Sequence, residues 1–311
     1  DAMNVYGASD SYVPKNLVSI PSSIIDYVIS PDQKKMALYG FDEKLYIVDI
    51  ETNEIIYSNN AVGLYDMDFS GNEGLIYSIG YLVDEKKTVY FDLVSKEEKV
   101  LEDCCGNVES ANSKGMTFTF STYGVKAYKA DSLYYEINYF DYGLNPNEYW
   151  NYLDSAFSSD ENYCTFALKE DPSANGAILC QFETDTGDID MFVRDKNIGS
   201  NAALATSGDY VFVSFLGDEE DSIHEITHLL RYDVLNSTSA NGVLGKLVEM
   251  SDSYQVILSD YEYCIYGNNQ AMIFDYDLNL QGTLSRATMI LNGYVEDEDI
   301  HLIDSNGKVF L

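Results

Sequence analysis

Short apolar stretches alternate with polar turns along almost the whole chain. The clearest example covers residues 24–57, where four runs rich in Ile, Val, Leu and Tyr are separated by Ser-Pro-Asp, Gly-Phe-Asp-Glu and Glu-Thr-Asn. Runs of this length that are rich in β-branched and aromatic residues and end at turn formers predict β-strands. The runs are too closely spaced for helices of ordinary length. The pattern therefore predicts an all-β protein.

The four-run pattern recurs with a period of about 45 residues, a repeat length typical of four-stranded propeller blades. A serine closes the first run of each copy; the six serines are Ser30, Ser70, Ser113, Ser158, Ser207 and Ser259. Three more runs follow residue 286, and one run at residues 15–20 precedes the first copy. Pairing of the two chain ends would complete a last blade and leave no open sheet edge.

We therefore expect one domain over residues 15–311, a seven-bladed β-propeller of four-stranded antiparallel blades whose last blade is closed by the N-terminal strand. Six blades with a terminal hairpin are the alternative. We expect residues 1–14, which are polar and contain Gly, Ser and Asn, to be a linker or a cloning remnant.

Two segments of the first copy resemble the repeats of WD40 and YVTN-type β-propellers. Residues 29–40 (ISPDQKKMALYG) are similar to the loop between the first two strands of those blades, and residues 45–56 (LYIVDIETNEII) to their third and fourth strands. At the level of pattern the resemblance covers nearly the whole chain. It implies that the loops from second to third strand open on the same face as the loops that connect successive blades.

Aromatic and acidic residues concentrate in loops that the resemblance places on this face. Tyr and Trp provide large contact areas at low entropic cost and are enriched at binding hot spots. We therefore expect a binding face that consists of Tyr139, Asp141, Tyr142, Tyr149, Trp150, Asp218, Glu219 and Glu220. The alternative is that tyrosines simply cover the sheets, because the chain has 27 of them.

Residues 224–228 (HEITH) match the HExxH pattern, in which two histidines on one helix face bind zinc and the glutamate acts as general base. However, His228 opens a run that aligns with the third strand of the other copies. Positions four apart on a strand are separated by about 13 Å, too far for His224 and His228 to share one metal. We interpret the match as coincidental and expect no catalytic residues.

Asp185 and Asp188 have the alternating oxygen ligands that calcium prefers, but Asp and Gly are also ordinary turn formers. We therefore expect no cofactor, with calcium at these aspartates as the alternative.

Five cysteines occur without a CxxC spacing, which argues against a zinc ribbon or a redox motif. Cys164, Cys180 and Cys264 lie in apolar runs, where free cysteine behaves as a small hydrophobe. A Cys164–Cys180 disulfide is the alternative.

The net charge of −34 argues against nucleic acid as a partner, because phosphate neutralisation requires Lys and Arg. It is compatible with a cationic partner.

No apolar stretch reaches the roughly 18 residues that a membrane span requires. Because the chain does not begin with Met, we expect that a leader or anchor preceded it, which favours an extracytoplasmic over a cytoplasmic location.

Three functional hypotheses follow. The first is a non-catalytic, monomeric binding module for a protein or peptide partner, acting as the ligand-binding or sensor part of a larger bacterial protein. The second is a carbohydrate-binding or sensing module, in which Trp150 and its neighbouring tyrosines stack on sugar rings. The third is a metal-dependent hydrolase that uses His224, Glu225 and His228.

Overall fold

The strands of the chain are assembled into consecutive antiparallel sheets. The computed structural model describes residues 2–5, 16–81, 86–102, 106–144, 151–169, 176–195, 198, 202–217, 226–236, 238–243, 255–259, 262–267, 270–285, 290–296, 299–304 and 309–310. Within them, the regular structure is β-strand apart from two short 3-10 helices, Asn112–Lys114 and Tyr139–Tyr142. The all-β prediction is confirmed. The chain divides into two compact units, residues 1–141 and residues 142–311.

The first unit contains a two-stranded pair and three four-stranded sheets. The pair consists of β1 (Ala2–Val5) and β2 (Asn16–Ser19). Sheet 1 consists of β3 (Ile24–Ile29), β4 (Lys35–Gly40), β5 (Lys44–Asp49) and β6 (Glu54–Asn60). Sheet 2 consists of β7 (Leu64–Ser70), β8 (Gly74–Ile79), β9 (Lys87–Asp92) and β10 (Glu98–Glu102). Sheet 3 consists of β11 (Asn107–Ala111), β12 (Met116–Phe120), β13 (Gly124–Lys129) and β14 (Ser132–Asn138).

The second unit continues the series with three four-stranded sheets and one of three strands in the described residues. Sheet 4 consists of β15 (Asn151–Phe157), β16 (Tyr163–Lys169), β17 (Ala177–Glu183) and β18 (Ile189–Asp195). Sheet 5 consists of β19 (Ala203–Thr206), β20 (Tyr210–Gly217), β21 (Ile226–Asp233) and β22 (Thr238–Val243). Sheet 6 consists of β23 (Gln255–Leu258), β24 (Glu262–Gly267), β25 (Gln270–Asp275) and β26 (Leu280–Ser285). Sheet 7 consists of β27 (Ile290–Glu296), β28 (Asp299–Asp304) and β29 (Val309–Phe310).

Strand β2 covers the segment that we expected to complete the last blade. Its hydrogen-bonded partner in the described residues is β1, with Ala2 opposite Ser19 and Val5 opposite Asn16. A nearby partner closes a much shorter loop than the far end of the chain does, which costs less chain entropy. Strand β1 also lies within the segment that we expected to be a linker. Closure of sheet 7 by the N-terminal strand, and with it the number of blades, stays a prediction.

Middle strands such as β4 and β5 are apolar on both faces because they pack against other parts of their unit on both sides. Ala37, Tyr39, Leu45 and Ile47 of sheet 1 pack against sheet 2, while the alternate residues of β4 and β5 pack around Ile20. In the second unit, sheets 4 and 5, sheets 5 and 6, and sheets 6 and 7 share apolar clusters. Burial on both faces explains why these runs are continuously apolar instead of alternating.

The cysteines of the described strands belong to this core. Cys164, Cys180 and Cys264 are buried free thiols, as predicted, and burial raises the pKa of Cys264 to about 12. Cys164 lies opposite Phe182, and Cys180 opposite Phe166, so the two thiols are not cross-strand partners. Cys104 and Cys105 lie outside the described residues.

The serine that marks the repeat has a local structural role. Ser30 Oγ donates to Asp32 Oδ1 at 2.8 Å and accepts the Lys35 N–H at 2.9 Å, which closes the turn from β3 to β4. Ser158 makes the same two bonds. Its hydroxyl donates to Asp160 Oδ1 at 2.7 Å and accepts the Tyr163 N–H at 3.0 Å. In these two turns the serine of the repeat therefore has a hydrogen-bonding role.

A β-bulge interrupts the first strand of sheets 1, 2 and 4 at the same place. The register shifts immediately before Asp26, Asp66 and Asp154, and each aspartate lies four residues before the serine of its copy. A bulge adds one residue to one strand, so the side chains beyond it are directed differently.

Candidate functional site

Each sheet has two ends that carry different loops. The end that carries the turns from first to second and from third to fourth strand is called the turn end. The opposite end, which carries the loops from second to third strand and the links to the next sheet, is called the connection end. The sequence predicts a binding face at the connection end.

Three residues of the predicted binding face lie in the described part of the chain. Tyr139 is only 1% exposed, which corrects its assignment to a surface, because its large ring is part of the core. Asp141 is exposed. Tyr142 is exposed and stacks on Phe192, with ring centroids 5.8 Å apart. The other members of the predicted binding face lie outside the described residues: Tyr149, Trp150, Asp218, Glu219 and Glu220.

The HExxH segment is a strand where it is described. His228 lies in β21, opposite residue 215 of β20, as the strand interpretation predicts. His224 lies outside the described residues.

Asp185 and Asp188 occupy the exposed turn from β17 to β18, where Gly187 has a φ of 78° and the Asp188 N–H donates to Thr186 Oγ1 at 3.1 Å. No group of three or more His, Cys, Asp or Glu side chains in the described residues is arranged to hold a metal ion.

The connection end of the first unit carries exposed apolar side chains around Glu43. Phe41 is 72% exposed, Val62 50% and Tyr81 65%. The Glu43 carboxylate accepts the Tyr81 hydroxyl at 2.7 Å, and the Glu43 carbonyl accepts the Ala61 N–H at 2.8 Å. Glu43 therefore brings together a loop of sheet 1, the link between sheets 1 and 2, and a loop of sheet 2. These four residues, Phe41, Glu43, Val62 and Tyr81, are called the aromatic patch.

Gly63 lies against the Tyr81 ring of the aromatic patch. This residue has a φ of +67°, and a Cβ at this position would lie 3.1 Å from the Tyr81 ring. The absence of a side chain therefore lets the ring lie close to the backbone. The hydrogen bond to Glu43 raises the pKa of Tyr81 to about 12, so the phenol stays protonated at neutral pH.

A cleft of about 460 Å³ opens at the turn end of the second unit, between the first strands of sheets 4, 5 and 6. Its apolar walls come from Ala156, Phe157, Leu204, Ala205, Ile257 and Leu258. Its polar lining comes from Ser159, Thr206, Ser207, Asp209 and Ser259. The rings of Tyr210 and Tyr276 complete it.

The two tyrosine rings of the cleft are held by several contacts. The Tyr276 hydroxyl donates to the Ser259 carbonyl at 2.5 Å, and its ring meets that of Tyr210 edge-on at 6.1 Å. Arg231 donates to the Tyr276 carbonyl and to Asp277 Oδ1, the latter at 2.8 Å, and its guanidinium lies 5.0 Å from the centre of the Tyr210 ring. The rings are therefore fixed parts of the cleft.

Carboxylates crowd the turn end of sheets 4 and 5. Burial raises the pKa of Tyr163, and the nearby charges of Asp190, Glu183, Asp160 and Asp209 raise it further. Four carboxylates thus act on one ring, and one of them, Asp209, lines the cleft. A concentration of carboxylates of this kind favours cations over anions.

Among the described residues that line the cleft there is no His, Cys or Lys, and Asp209 is the one carboxylate.

Sequence reasoning did not find the aromatic patch, although a signal was present. An aromatic residue follows the glycine after the second strand in two successive copies, as Gly40-Phe41 and Gly80-Tyr81. The cleft has no comparable signal, because Asp209 and Tyr276 come from distant segments.

No protein-family model and no curated protein sequence matches the chain. Among solved structures, BamB from Moraxella catarrhalis is similar, with a TM-score of 0.63 and 10% identity over 96% of this chain and 86% of that one. Sqt1 from Saccharomyces cerevisiae gives a TM-score of 0.64 and 10% identity over 93% and 84%. KlHsv2 with its loop 6CD replaced by a Gly-Ser linker gives 0.59 and 15% over 88% and 87%.

At these identities the likeness shows the fold alone. BamB and Sqt1 are β-propellers, and the consecutive four-stranded antiparallel sheets agree with them. The chain therefore has a WD40-like β-propeller fold, which confirms the fold type predicted from the repeat. None of the helices in the described residues is long and apolar enough to cross a membrane.

Proposed function

We propose that the protein is a non-catalytic β-propeller module that binds a protein or peptide partner at the connection end of its sheets. The observation that carries this proposal is the aromatic patch. Phe41 and Tyr81 keep most of their surface in water, although each has a large apolar ring. Exposed apolar groups that are rimmed by polar residues are typical of interaction sites.

The composition of the aromatic patch supports a partner that presents both apolar and cationic groups. The Glu43 carboxylate lies at the Tyr81 hydroxyl, and Glu43 is two residues from Phe41 in the same loop. Aromatic faces and carboxylates both attract Lys and Arg side chains. The net charge of −34 adds a long-range attraction for cationic partners.

The two other hypotheses have less support. The carbohydrate hypothesis depends on Trp150, and the hydrolase hypothesis on His224, both of which lie outside the described residues. His228 is on a strand, where the HExxH spacing does not converge on one metal. We further propose that the module is monomeric, requires no cofactor, and is the sensor part of a larger extracytoplasmic bacterial protein.

The test is a peptide array that includes cationic, aromatic, acidic and neutral sequences, followed by affinity measurements on the best binders. We expect cationic peptides to bind, and Phe41→Ala and Tyr81→Ala each to weaken binding at least fivefold. Tyr134→Ala is the matched control, because Tyr134 is 52% exposed but lies on the outer strand β14. Peptide affinities that are unchanged in both patch variants would overturn the proposed site. Binding on a glycan array without peptide binding would favour the carbohydrate hypothesis.

A further inference from the structure

We propose that the cleft at the turn end of the second unit binds the side chain of a lysine or arginine from a cationic peptide. This inference rests on the proposed function, because it takes the partner to be a peptide. It adds a second binding point with a different chemistry, formed by residues outside the aromatic patch.

The size of the cleft suits one long side chain and its adjoining backbone. Its volume of about 460 Å³ lies within the range of roughly 300–1,000 Å³ that is typical of ligand pockets. The cleft is formed by strands β15, β19 and β23, so its walls belong to packed sheets instead of long loops. Sites on rigid elements lose little conformational entropy when they bind.

The walls match the methylene stem of such a side chain. Ala156, Leu204, Ile257 and Leu258 line the cleft with aliphatic groups. Lys and Arg place their stems along apolar surfaces while the charged head stays at a polar site. An apolar ligand without a charged head would use these walls but would leave a carboxylate partly desolvated, which costs free energy.

Asp209 supplies the carboxylate for the charged head. Its backbone carbonyl accepts the Val234 N–H at 2.9 Å, which holds the turn, while its side chain is exposed. Among the described residues, none donates a hydrogen bond or forms an ion pair to this carboxylate. A ligand could therefore donate to this carboxylate without displacing a partner among the described residues, and hydrogen bonds to ionised groups are stronger than those between neutral ones.

The surroundings of Asp209 favour a cation over an anion. Asp160, Glu183 and Asp190 lie close enough to Tyr163 to raise the pKa of that phenol, as Asp209 does. Arg231 is the nearby cation, and its charge is already balanced by Asp277 at 2.8 Å. An anionic ligand would be repelled by these carboxylates, whereas a cationic head would reduce their mutual repulsion.

The probes for the test are the blocked pentapeptides Gly-Gly-Arg-Gly-Gly and Gly-Gly-Lys-Gly-Gly, with norleucine at the centre as the uncharged control. Binding is measured by NMR titration of amide shifts at physiological ionic strength. We expect the cationic peptides to shift the amides of Asp209, Tyr210 and Tyr276 and to bind at least fivefold more tightly than the norleucine peptide. We expect Asp209→Asn to remove this preference.

Asp188→Asn is the matched control, because it removes the same charge from an exposed turn of sheet 4 that does not line the cleft. It should change affinity less than twofold. Equal weakening by the two variants would show non-specific attraction to an acidic surface and would overturn the inference. Shifts confined to residues away from the cleft would overturn it as well. The proposed function is tested independently of this inference, by the response of array-selected peptides to Phe41→Ala and Tyr81→Ala.

Discussion

The carboxylate of Asp154 accepts a hydrogen bond from the backbone N–H of Leu204 at 2.8 Å, which joins the first strands of sheets 4 and 5. Asp66 makes the equivalent bond to the Val108 N–H at 2.9 Å, between the first strands of sheets 2 and 3. Both aspartates follow a β-bulge in their own strand. The bulge thus directs a side chain towards the neighbouring sheet, where it satisfies a backbone donor that has no partner in its own sheet.

This arrangement predicts an unusual pH dependence of stability. Burial raises the pKa of Asp66 and Asp154 to about 6 and that of Asp68 to about 7, above the value of about 3.9 for an unfolded chain. The folded state therefore holds these protons more tightly. Their contribution to stability is fully present below about pH 4 and is lost as the pH rises through 6 to 7, roughly 3 kcal/mol for Asp66 and for Asp154 and roughly 4 kcal/mol for Asp68.

We therefore expect the melting temperature to rise when the pH is lowered from 8 to 5 at constant ionic strength. Asp154→Asn removes one titrating group and should flatten this rise, while the exposed control Asp188→Asn should leave its slope nearly unchanged. Calorimetry over a pH series is the measurement. A melting temperature that falls steadily from pH 8 to 5 would contradict the raised pKa values.

The strand pattern was predictable because it is written in short local stretches of sequence. Continuous apolar runs such as those of β4 and β5 reflect burial on both faces, and the recurring serine reflects the turn that Ser30 closes with Asp32. Packing against other segments buries these runs, but the runs themselves can be recognised without knowing which segments those are. The type of fold could therefore be deduced from the period and the strand lengths.

The candidate sites were less predictable because they depend on contacts between distant segments. Tyr139 is buried while Tyr142, three residues further on, is exposed, and no local pattern distinguishes the two. Strand β2 pairs with β1, and a local pattern does not distinguish this partner from the edge of sheet 7 that we expected. The cleft combines Asp209 with Tyr276, and their proximity follows only from the packing of sheet 5 against sheet 6.

Two glycines at the same place in the repeat predict different responses to substitution. Gly71 and Gly208 both follow the turn serine and have positive φ angles of 68° and 90°. A Cβ at Gly71 would have no atom within 4 Å, whereas at Gly208 it would lie 2.7 Å from the Tyr163 ring. Gly71→Ala should cost about 1 kcal/mol for the backbone alone.

Gly208→Ala should cost about 2–4 kcal/mol, because the same backbone strain is joined by a steric clash. The free energy of unfolding in urea gives both values. A second substitution, Tyr163→Ala, should lower the cost of Gly208→Ala towards that of Gly71→Ala. Equal costs in the two single variants would show that the Tyr163 ring moves freely.

A buried amide joins sheets 4 and 5 and predicts strong coupling between four residues. Gln181 Oε1 accepts the hydroxyls of Thr165 at 3.0 Å and Thr206 at 2.8 Å, and Gln181 Nε2 donates to the Gly208 carbonyl at 2.6 Å. Gln181 and Thr165 are fully buried, so partners that lose these bonds have no water to replace them.

Gln181→Leu should therefore cost about 2–4 kcal/mol, because it leaves buried hydroxyl and carbonyl groups without partners. The matched control is Gln281→Leu on the exposed face of β26, where the same change should cost about 0.5 kcal/mol or less. Adding Thr165→Val to Gln181→Leu should recover part of the loss, since a buried pair replaced by apolar groups is nearly neutral. Urea unfolding of the wild type, Gln181→Leu, Thr165→Val and the double variant forms a double-mutant cycle. If the losses were simply additive, the hydrogen bond between Gln181 and Thr165 would contribute no coupling between sheet strands β16 and β17.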